Sequence, residues 1–166
     1  MASTEQIKDL RARTGAGIMD CKRALEEAHD DPQQAAALLR QWQLEGVAKK
    51  AERAASQGLV ESYIHPGGRV GALVEVNCET DFVARTDDFR TLAHDIAMQV
   101  AAMNPRRIRA DEPAPDGADS SEPPLLEQAF IRDPSKTIQD LVNESIAKLK
   151  ENIVVRRMAR FELGAS

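Results

Sequence analysis

The fold class is set by the sequence GLVESYIHPGGRVGALVEV at residues 58–76. On both sides of Pro66-Gly67-Gly68, alternate residues are apolar, which is the pattern of a strand with one buried face. Two such runs joined by a short glycine-containing segment predict a β-hairpin. Most of the remaining chain has helical periodicity, so the hairpin predicts an α+β protein and not a purely helical one.

The sequence after the hairpin completes this core. Thr86 is a candidate N-cap for a helix that Pro105 ends. A second helix is predicted to begin after Thr137, and a last strand to run from Ile153 to Phe161. The order of these elements predicts a three-stranded antiparallel sheet packed with helices over residues 58–166.

The sequence before the hairpin predicts three short helices. Thr4 is a candidate N-cap for the first helix, and a glycine-bearing turn at residues 14–17 separates it from the second. Asp31-Pro32 is a strong start for the third helix, because the Asp accepts from free N–H groups and Pro suits the first helical position. Gly46 is predicted to end that helix.

These patterns divide the chain into three parts. Residues 1–45 form a three-helix bundle, a unit small enough that we expect it to dock onto a partner. Residues 46–57 are predicted to be a solvated helical linker. Residues 58–166 form the α+β core, which is expected to self-associate as a dimer through open strand edges and an uncovered sheet face. Within this core, the proline-rich residues 104–124 are predicted to be a flexible loop.

Composition narrows the function. The chain has 22 basic and 27 acidic residues and a net charge of −5, which argues against coating of nucleic acid. Three basic clusters, near residues 49–53, 106–109 and 156–160, are interpreted as solvated faces or linkers. There is no apolar run of about 20 residues to span a membrane, and MASTEQIKDLR carries charges where a signal peptide is apolar. We therefore expect a cytoplasmic protein with no nucleic-acid or membrane partner.

Enzymatic and metal sites have weak support. Two cysteines exclude a disulfide framework, and three scattered histidines do not suggest a metal site or a cofactor. His65, Cys78 and Asp81 are a conceivable nucleophile set, but no nucleophile motif surrounds Cys78. We expect no enzymatic activity, with a hydrolase that uses Cys78 as an alternative that thiol alkylation tests.

The segment NCETDFVAR at residues 77–85 is unusual for a connection between a strand and a helix. It places Phe82 and Val83 beside Asp81 and Arg85. Either Phe82 folds back into the core, or it is exposed next to a carboxylate and can enter a partner's pocket. The sequence pattern leaves both alternatives open.

Two long motifs resemble the elongation factor Ts family. They are LRARTGAGIMDCKRAL at residues 10–25 and NCETDFVAR at residues 77–85, in the family's order and spacing. Residues 125–128 and 152–157 also resemble its C-terminal part, so the resemblance covers nearly the whole chain except residues 104–124. Members of the family are guanine-nucleotide exchange factors for elongation factor Tu. The resemblance implies that residues 3–45 are a ubiquitin-associated-like domain.

The resemblance also implies site residues. The family's Thr-Asp-Phe-Val stretch falls on Thr80, Asp81, Phe82 and Val83, and it inserts near the partner's magnesium site and displaces the ion. Contacts from the first domain would fall on Arg13, Ile18 and Met19.

The chain departs from the family in two respects. Ile18 stands where Met is usual, and there is one sheet unit where longer members have two, so the chain resembles the short, dimeric form. The main rival from another class is a module that binds nascent chains or ubiquitin-like partners through the three-helix bundle.

Overall fold

The computed structural model describes residues 1–165, and the chain divides into two compact units. The first unit ends at Ala51, and the second begins at Glu52. Each unit buries its own apolar residues, and each is described separately below.

The first unit is the predicted bundle of three helices. They are α1 (Thr4–Thr14), α2 (Ile18–Glu27) and α3 (Pro32–Lys50). The buried side chains recur at helical spacing and are mostly small, which lets short helices approach closely. They are Leu10, Cys21, Ala24, Leu25, Ala28, Ala35 and Leu39.

The helix ends explain two differences from the sequence predictions. Ser3, and not Thr4, caps α1, because its hydroxyl accepts from the Gln6 N–H while the Gln6 side chain accepts from the Ser3 N–H. Gly46 does not end α3, which continues to Lys50. A single glycine costs a helix only about 1 kcal/mol, and the alanine and lysines that follow favour helix. The predicted start at Asp31-Pro32 is confirmed, since Asp31 accepts from the N–H groups of Gln33 and Gln34.

The second unit contains the remaining elements. In chain order they are β1 (Gln57–Ile64), β2 (Val70–Cys78), α4 (Asp81–Ala84), α5 (Asp87–Met103), β3 (Ala129–Phe130), β4 (Asp133–Thr137), α6 (Ile138–Leu149) and β5 (Val154–Glu162). β1, β2 and β5 form one antiparallel sheet in the order β1-β2-β5. The predicted α+β class and three-stranded sheet are therefore confirmed.

The two faces of this sheet differ. Ala72, Val74 and Val76 of β2 are buried on the face that packs against α5, whose Phe89 and Ile96 are fully buried. The other face presents apolar side chains to solvent. The strand register brings together on this open face Val60, Ile64, Leu73, Ala159 and Phe161.

Gly71 lies on the middle strand, close to the start of β2. It pairs with Ile64 on one side and with Phe161 on the other. A Cβ at this position would come within 2.5 Å of the Ile64 Cδ1 atom. The absence of a side chain at Gly71 is therefore what lets the Ile64 side chain lie across β2.

The connection between α5 and α6 contains structure that the sequence did not predict. A 3-10 turn at Leu125–Glu127 leads into the hairpin of β3 and β4. The fully buried Gln99 of α5 holds this hairpin through both the nitrogen and the oxygen of its side-chain amide. Its Nε2 donates to the Gln128 side chain and the Ala129 carbonyl, and its Oε1 accepts from the Ile131 N–H.

Residues 104–124 contain no helix or strand, yet hydrogen bonds hold the segment together and join it to β5. Arg107 donates to the carbonyl oxygens of Ala110, Glu112 and Ser120, which closes the segment around one guanidinium. Arg109 donates to the Val155 carbonyl of β5 at 3.2 Å. This contact covers part of one edge of the sheet.

The Gln99 contacts yield the first prediction. We expect Gln99→Ala to lower the free energy of unfolding by about 2–4 kcal/mol, because it leaves buried donors and acceptors unpaired and creates a cavity. Urea denaturation measures this loss. Gln139→Ala on α6 is the control, since Gln139 is only partly buried and donates to the side chain of Asn143. An equal loss of unfolding free energy in the two variants would contradict the role of Gln99 in holding the hairpin.

Candidate functional site

The strongest candidate site is the turn that connects β2 to α5, which we call the Phe82 turn (residues 80–85). Its centre is α4, a single helical turn capped by Thr80, whose Oγ1 accepts from the Val83 N–H at 3.3 Å. Val83 and Ala84 are buried beneath it, so helical geometry directs Asp81 and Phe82 outward. Phe82 is 78% exposed. Of the two alternatives for Phe82, the exposed one is observed.

The charged residues of the Phe82 turn form a pair beside the aromatic ring. The Asp81 carboxylate accepts from the Arg85 guanidinium at 2.9 Å, and both side chains are exposed. Exposed pairs of this kind contribute little to stability. Asp81 can therefore exchange Arg85 for another partner at small cost.

Val83, one of the four residues for which the resemblance implied a role in displacing magnesium, lies on the inner side of α4. It is only 6% exposed and packs inside the second unit, so it stabilises the turn from below. Thr80 is likewise engaged within the protein as the cap of α4. Among the four residues, Val83 is buried, whereas Thr80, Asp81 and Phe82 are exposed.

The Phe82 turn is held by residues that lie far away in the sequence. Glu151 accepts from the Thr80 N–H at 3.0 Å and from the Thr80 hydroxyl at 2.8 Å. The neighbouring Glu79 accepts from the Asn152 N–H at 2.8 Å and forms an ion pair with Arg53 at 3.5 Å. Sequence reasoning missed Glu151, because no periodicity links residues so far apart along the chain.

The structure argues against Cys78 as a nucleophile. Its thiol is fully buried and donates to the Thr80 carbonyl at 3.1 Å. Burial, together with the negative charge of Glu151, raises the pKa of the Cys78 thiol to about 11. His65 lies within hydrogen-bond distance of the Tyr63 hydroxyl, at 3.1 Å, and no contact joins it to Cys78. The predicted hydrolase set is therefore not assembled, and its thiol is in the unreactive form at neutral pH.

A second candidate surface lies on the first unit. Ile18 and Met19 open α2 and are 54% and 72% exposed. Arg13, near the end of α1, is exposed and pairs with Asp9 at 3.5 Å. Ile18 continues the apolar spacing of α2, but it is the first residue of the helix and lies beyond the buried core. An adjacent exposed apolar pair is unusual on a small folded unit and is typical of a contact surface.

The two basic clusters of the second unit bind groups of the protein itself. Arg156 and Arg157 both pair with Glu75, at 3.6 and 2.8 Å. Arg160 donates to the Ala101 carbonyl and to Glu162. Arg107 and Arg109 likewise donate to carbonyl groups of the protein, as described above.

Comparison with known proteins identifies the class. A family profile described as "Elongation factor TS" matches residues 43–120. Proteins named elongation factor Ts from Thermoanaerobacter sp. (strain X514) and Caldanaerobacter subterraneus subsp. tengcongensis are each 48% identical to this chain. Both alignments cover 99% of the chain, and they cover 96% and 98% of the two relatives. A protein of that name from Herpetosiphon aurantiacus has the same identity.

An α+β core with an exposed Phe82 turn and a separate helical bundle is thus that of a translation elongation factor. The chain belongs to the elongation factor Ts family. Its alignments with these relatives extend over 195 residues, more than the 166 of this chain, so the relatives contain residues that have no counterpart here.

The structure also bears on the membrane question. Within residues 1–165, none of the helices combines the length and the apolar character that crossing a bilayer requires.

The burial of both cysteines yields the second prediction. We expect iodoacetamide at pH 8 to leave Cys21 and Cys78 unmodified in the folded protein and to modify both in guanidinium, as measured by mass spectrometry. Rapid labelling of one thiol in the folded state would contradict it.

The same burial predicts a pH dependence. Because the pKa of Cys78 rises from 9.0 to about 11 on folding, its contribution to stability is present below pH 9 and is lost between pH 9 and 11. Over that range, wild type should lose stability more steeply than Cys78→Ala.

Proposed function

We propose that this protein is a guanine-nucleotide exchange factor for elongation factor Tu. It binds the GDP-bound partner, promotes release of GDP by displacing the magnesium ion in the partner's site, and stays bound until GTP enters. The observation that carries the proposal is the exposure of Phe82 beside Asp81 on a turn that the Thr80 cap and the buried Val83 and Ala84 hold in place. Membership in the elongation factor Ts family supports the choice of partner.

The energetic requirement is a difference in affinity. A nucleotide held with nanomolar affinity is bound by about 12 kcal/mol, and much of that comes from magnesium and backbone contacts to the phosphates. A factor that binds the empty partner better than the loaded one must weaken nucleotide binding by the same factor. No covalent step is needed, so the protein acts as a binding factor and not as an enzyme, without a cofactor of its own.

The residues of the Phe82 turn have distinct roles in this mechanism. Phe82 supplies a rigid apolar group that can occupy space in the partner without losing many rotamers. The Asp81 carboxylate brings a negative charge close to the position of the ion's ligands. Thr80 and Val83 hold α4 in place, one as its cap and the other as its buried contact. Such a small turn is suited to disturbing a site and not to supplying most of the binding energy.

The first unit is the source of affinity in this proposal. Arg13, Ile18 and Met19 form the docking surface, in which an exposed apolar pair stands next to a cation. Docking through one unit while another acts on the site divides the work between binding and exchange. We place this exchange in the cytoplasm, where translation takes place. Because docking involves no covalent change, the factor can bind another copy of elongation factor Tu after each exchange.

We also propose that the protein is a homodimer formed through the open sheet face. Val60, Ile64, Leu73 and Phe161 are exposed there, and Phe161 is 75% exposed. Two sheets that pack face to face bury such side chains in a layer about 10 Å thick, and two-fold pairing is the commonest way to cover a self-complementary surface. Each dimer would bind two copies of elongation factor Tu.

The exchange proposal yields a third prediction, which separates the two surfaces. Release of fluorescent GDP from elongation factor Tu is followed while the concentration of factor is varied. We expect Phe82→Ala and Asp81→Ala to lower the maximal rate about tenfold or more, the scale of a lost transition-state contact, with little change in the half-saturating concentration.

In the same assay, Met19→Ala should mainly raise the half-saturating concentration. Exchange at the wild-type rate by folded Phe82→Ala would overturn the role of the turn. No acceleration by wild type, together with co-sedimentation with ribosomes, would favour the nascent-chain alternative.

The dimer yields a fourth prediction. Light scattering of the wild-type protein at micromolar concentration should give about twice the 18.2 kDa of the chain. Phe161→Asp should give the monomer, because it places a charge on the apolar face that the dimer would bury. Ile131→Asp is the matched control, since Ile131 is also exposed but lies in the connection between β3 and β4. A wild-type monomer across this range would overturn the proposal.

A further inference from the structure

We infer that Glu151 is a positioning residue for exchange: its carboxylate holds the cap of α4 and so fixes the direction in which Phe82 projects. This inference rests on the proposed function of the Phe82 turn. It concerns a residue outside the Phe82 turn, which no sequence motif connects with residues 80–85.

The first observation is the geometry of the carboxylate. Its two oxygens bind the two donors of a single residue, at 3.0 Å from the Thr80 N and at 2.8 Å from the Thr80 Oγ1. A two-point contact fixes both the backbone and the side-chain rotamer of Thr80. Hydrogen bonds to a charged acceptor are also stronger than neutral ones.

The second observation is what the Thr80 hydroxyl does with its lone pairs. A hydroxyl has one proton and two acceptor positions. Because its proton points to Glu151, a lone pair is directed at the Val83 N–H, which lies 3.3 Å away. Donation to a carboxylate also makes the oxygen a better acceptor, since consecutive hydrogen bonds polarise one another. Glu151 therefore strengthens the cap of a helix that has only one turn.

The third observation is that Glu151 is itself held in place. It follows Lys150, which ends α6 in the left-handed conformation at φ 63°. It precedes Asn152, whose N–H donates to Glu79 and whose side-chain amide donates to the Arg53 carbonyl. The two connections, 79–80 and 151–152, therefore bind each other reciprocally. A carboxylate held on both sides can position its partner.

The physical need for such a contact comes from the size of α4. A helix of four residues has no stability of its own in water, because nucleation costs more than one turn of hydrogen bonds returns. Its buried face is limited to Val83 and Ala84. Without a fixed cap, the turn would sample other conformations, and Phe82 would enter the partner's site in only a fraction of encounters.

The test compares Glu151→Ala, Glu151→Gln and the control Glu144→Ala. Glu144 is a carboxylate on α6 that pairs with Lys136 at 2.9 Å and does not contact the Phe82 turn. Glutamine keeps one acceptor oxygen, so it can retain one of the two hydrogen bonds. It also serves as the milder variant if the alanine substitution prevents folding.

The first readout is amide hydrogen exchange of the free protein by NMR, which does not depend on any partner. We expect the amides of residues 83–85 to exchange about five- to tenfold faster in Glu151→Ala, the scale of one or two lost hydrogen bonds. An intermediate effect is expected in Glu151→Gln, and none in Glu144→Ala. The buried amides of α5 should not change. Unchanged exchange at residues 83–85 in both Glu151 variants would overturn the inference.

The second readout is GDP release from elongation factor Tu. Glu151→Ala should lower the maximal rate about fivefold and change the half-saturating concentration less than twofold, with Glu151→Gln between it and wild type. Simple destabilisation would instead lower the amount of folded factor and so raise the half-saturating concentration. A wild-type maximal rate in Glu151→Ala would overturn the positioning role, whereas inactivity of the wild-type protein would overturn the proposed function itself.

Discussion

The burial of β2 between two strands and beneath α5 is the constraint on which the second unit depends. Within residues 1–165, β2 is the only strand with a partner on each side, and its alternate residues Ala72, Val74 and Val76 fill the layer beneath α5. A strand confined on three sides has a fixed register and a fixed end. β2 ends at Cys78, so the chain leaves the sheet at a defined point. The Phe82 turn begins two residues later, so the end of β2 fixes where the turn lies.

The same packing explains why one face of the sheet is buried and the other is exposed. α5 covers one face of the sheet, whereas apolar side chains on the other face stay exposed. Ile64, Leu73 and Phe161 therefore remain on the outside. A side chain such as Phe161 is costly to leave in water when its neighbours in the register are also apolar. The proposed dimer is a direct consequence of a core with one layer of helices.

Many charged side chains of the second unit form hydrogen bonds and ion pairs within that unit. Arginines of the second unit bind carbonyl groups at the sheet edge and in residues 104–124, and they neutralise Glu75. Carboxylates gather around the Phe82 turn, where Glu79 and Glu151 receive hydrogen bonds while Asp81 remains at the surface. This distribution leaves one exposed carboxylate beside one exposed aromatic ring. It is consistent with a factor that acts on a charged site in another protein through a small contact.

The sequence by itself determined the main helices, the three strands of the large sheet and the candidate residues, because those depend on neighbours along the chain, but it did not predict the hairpin of β3 and β4. The alternation around Pro66, the cap at Thr86 and the Asp31-Pro32 helix start are local signals, and each was confirmed. NCETDFVAR was also marked by its composition alone. Local signals failed at Gly46, because one glycine is a weak stop signal and the residues after it favour helix.

Only the tertiary structure decided which of these side chains are available. Phe82 is exposed and Val83 is buried, although they are adjacent and both apolar, because α4 lies flat on the core and directs them to opposite sides. Cys78 is unsuited to act as a nucleophile because it is buried. Its burial depends on the residues packed around it and cannot be read from position 78 alone. Glu151 acquired its role through a contact with Thr80 across 71 residues of chain. Exposure, pKa and long-range hydrogen bonds depend on what packs around a residue, and that is known only once the chain has folded.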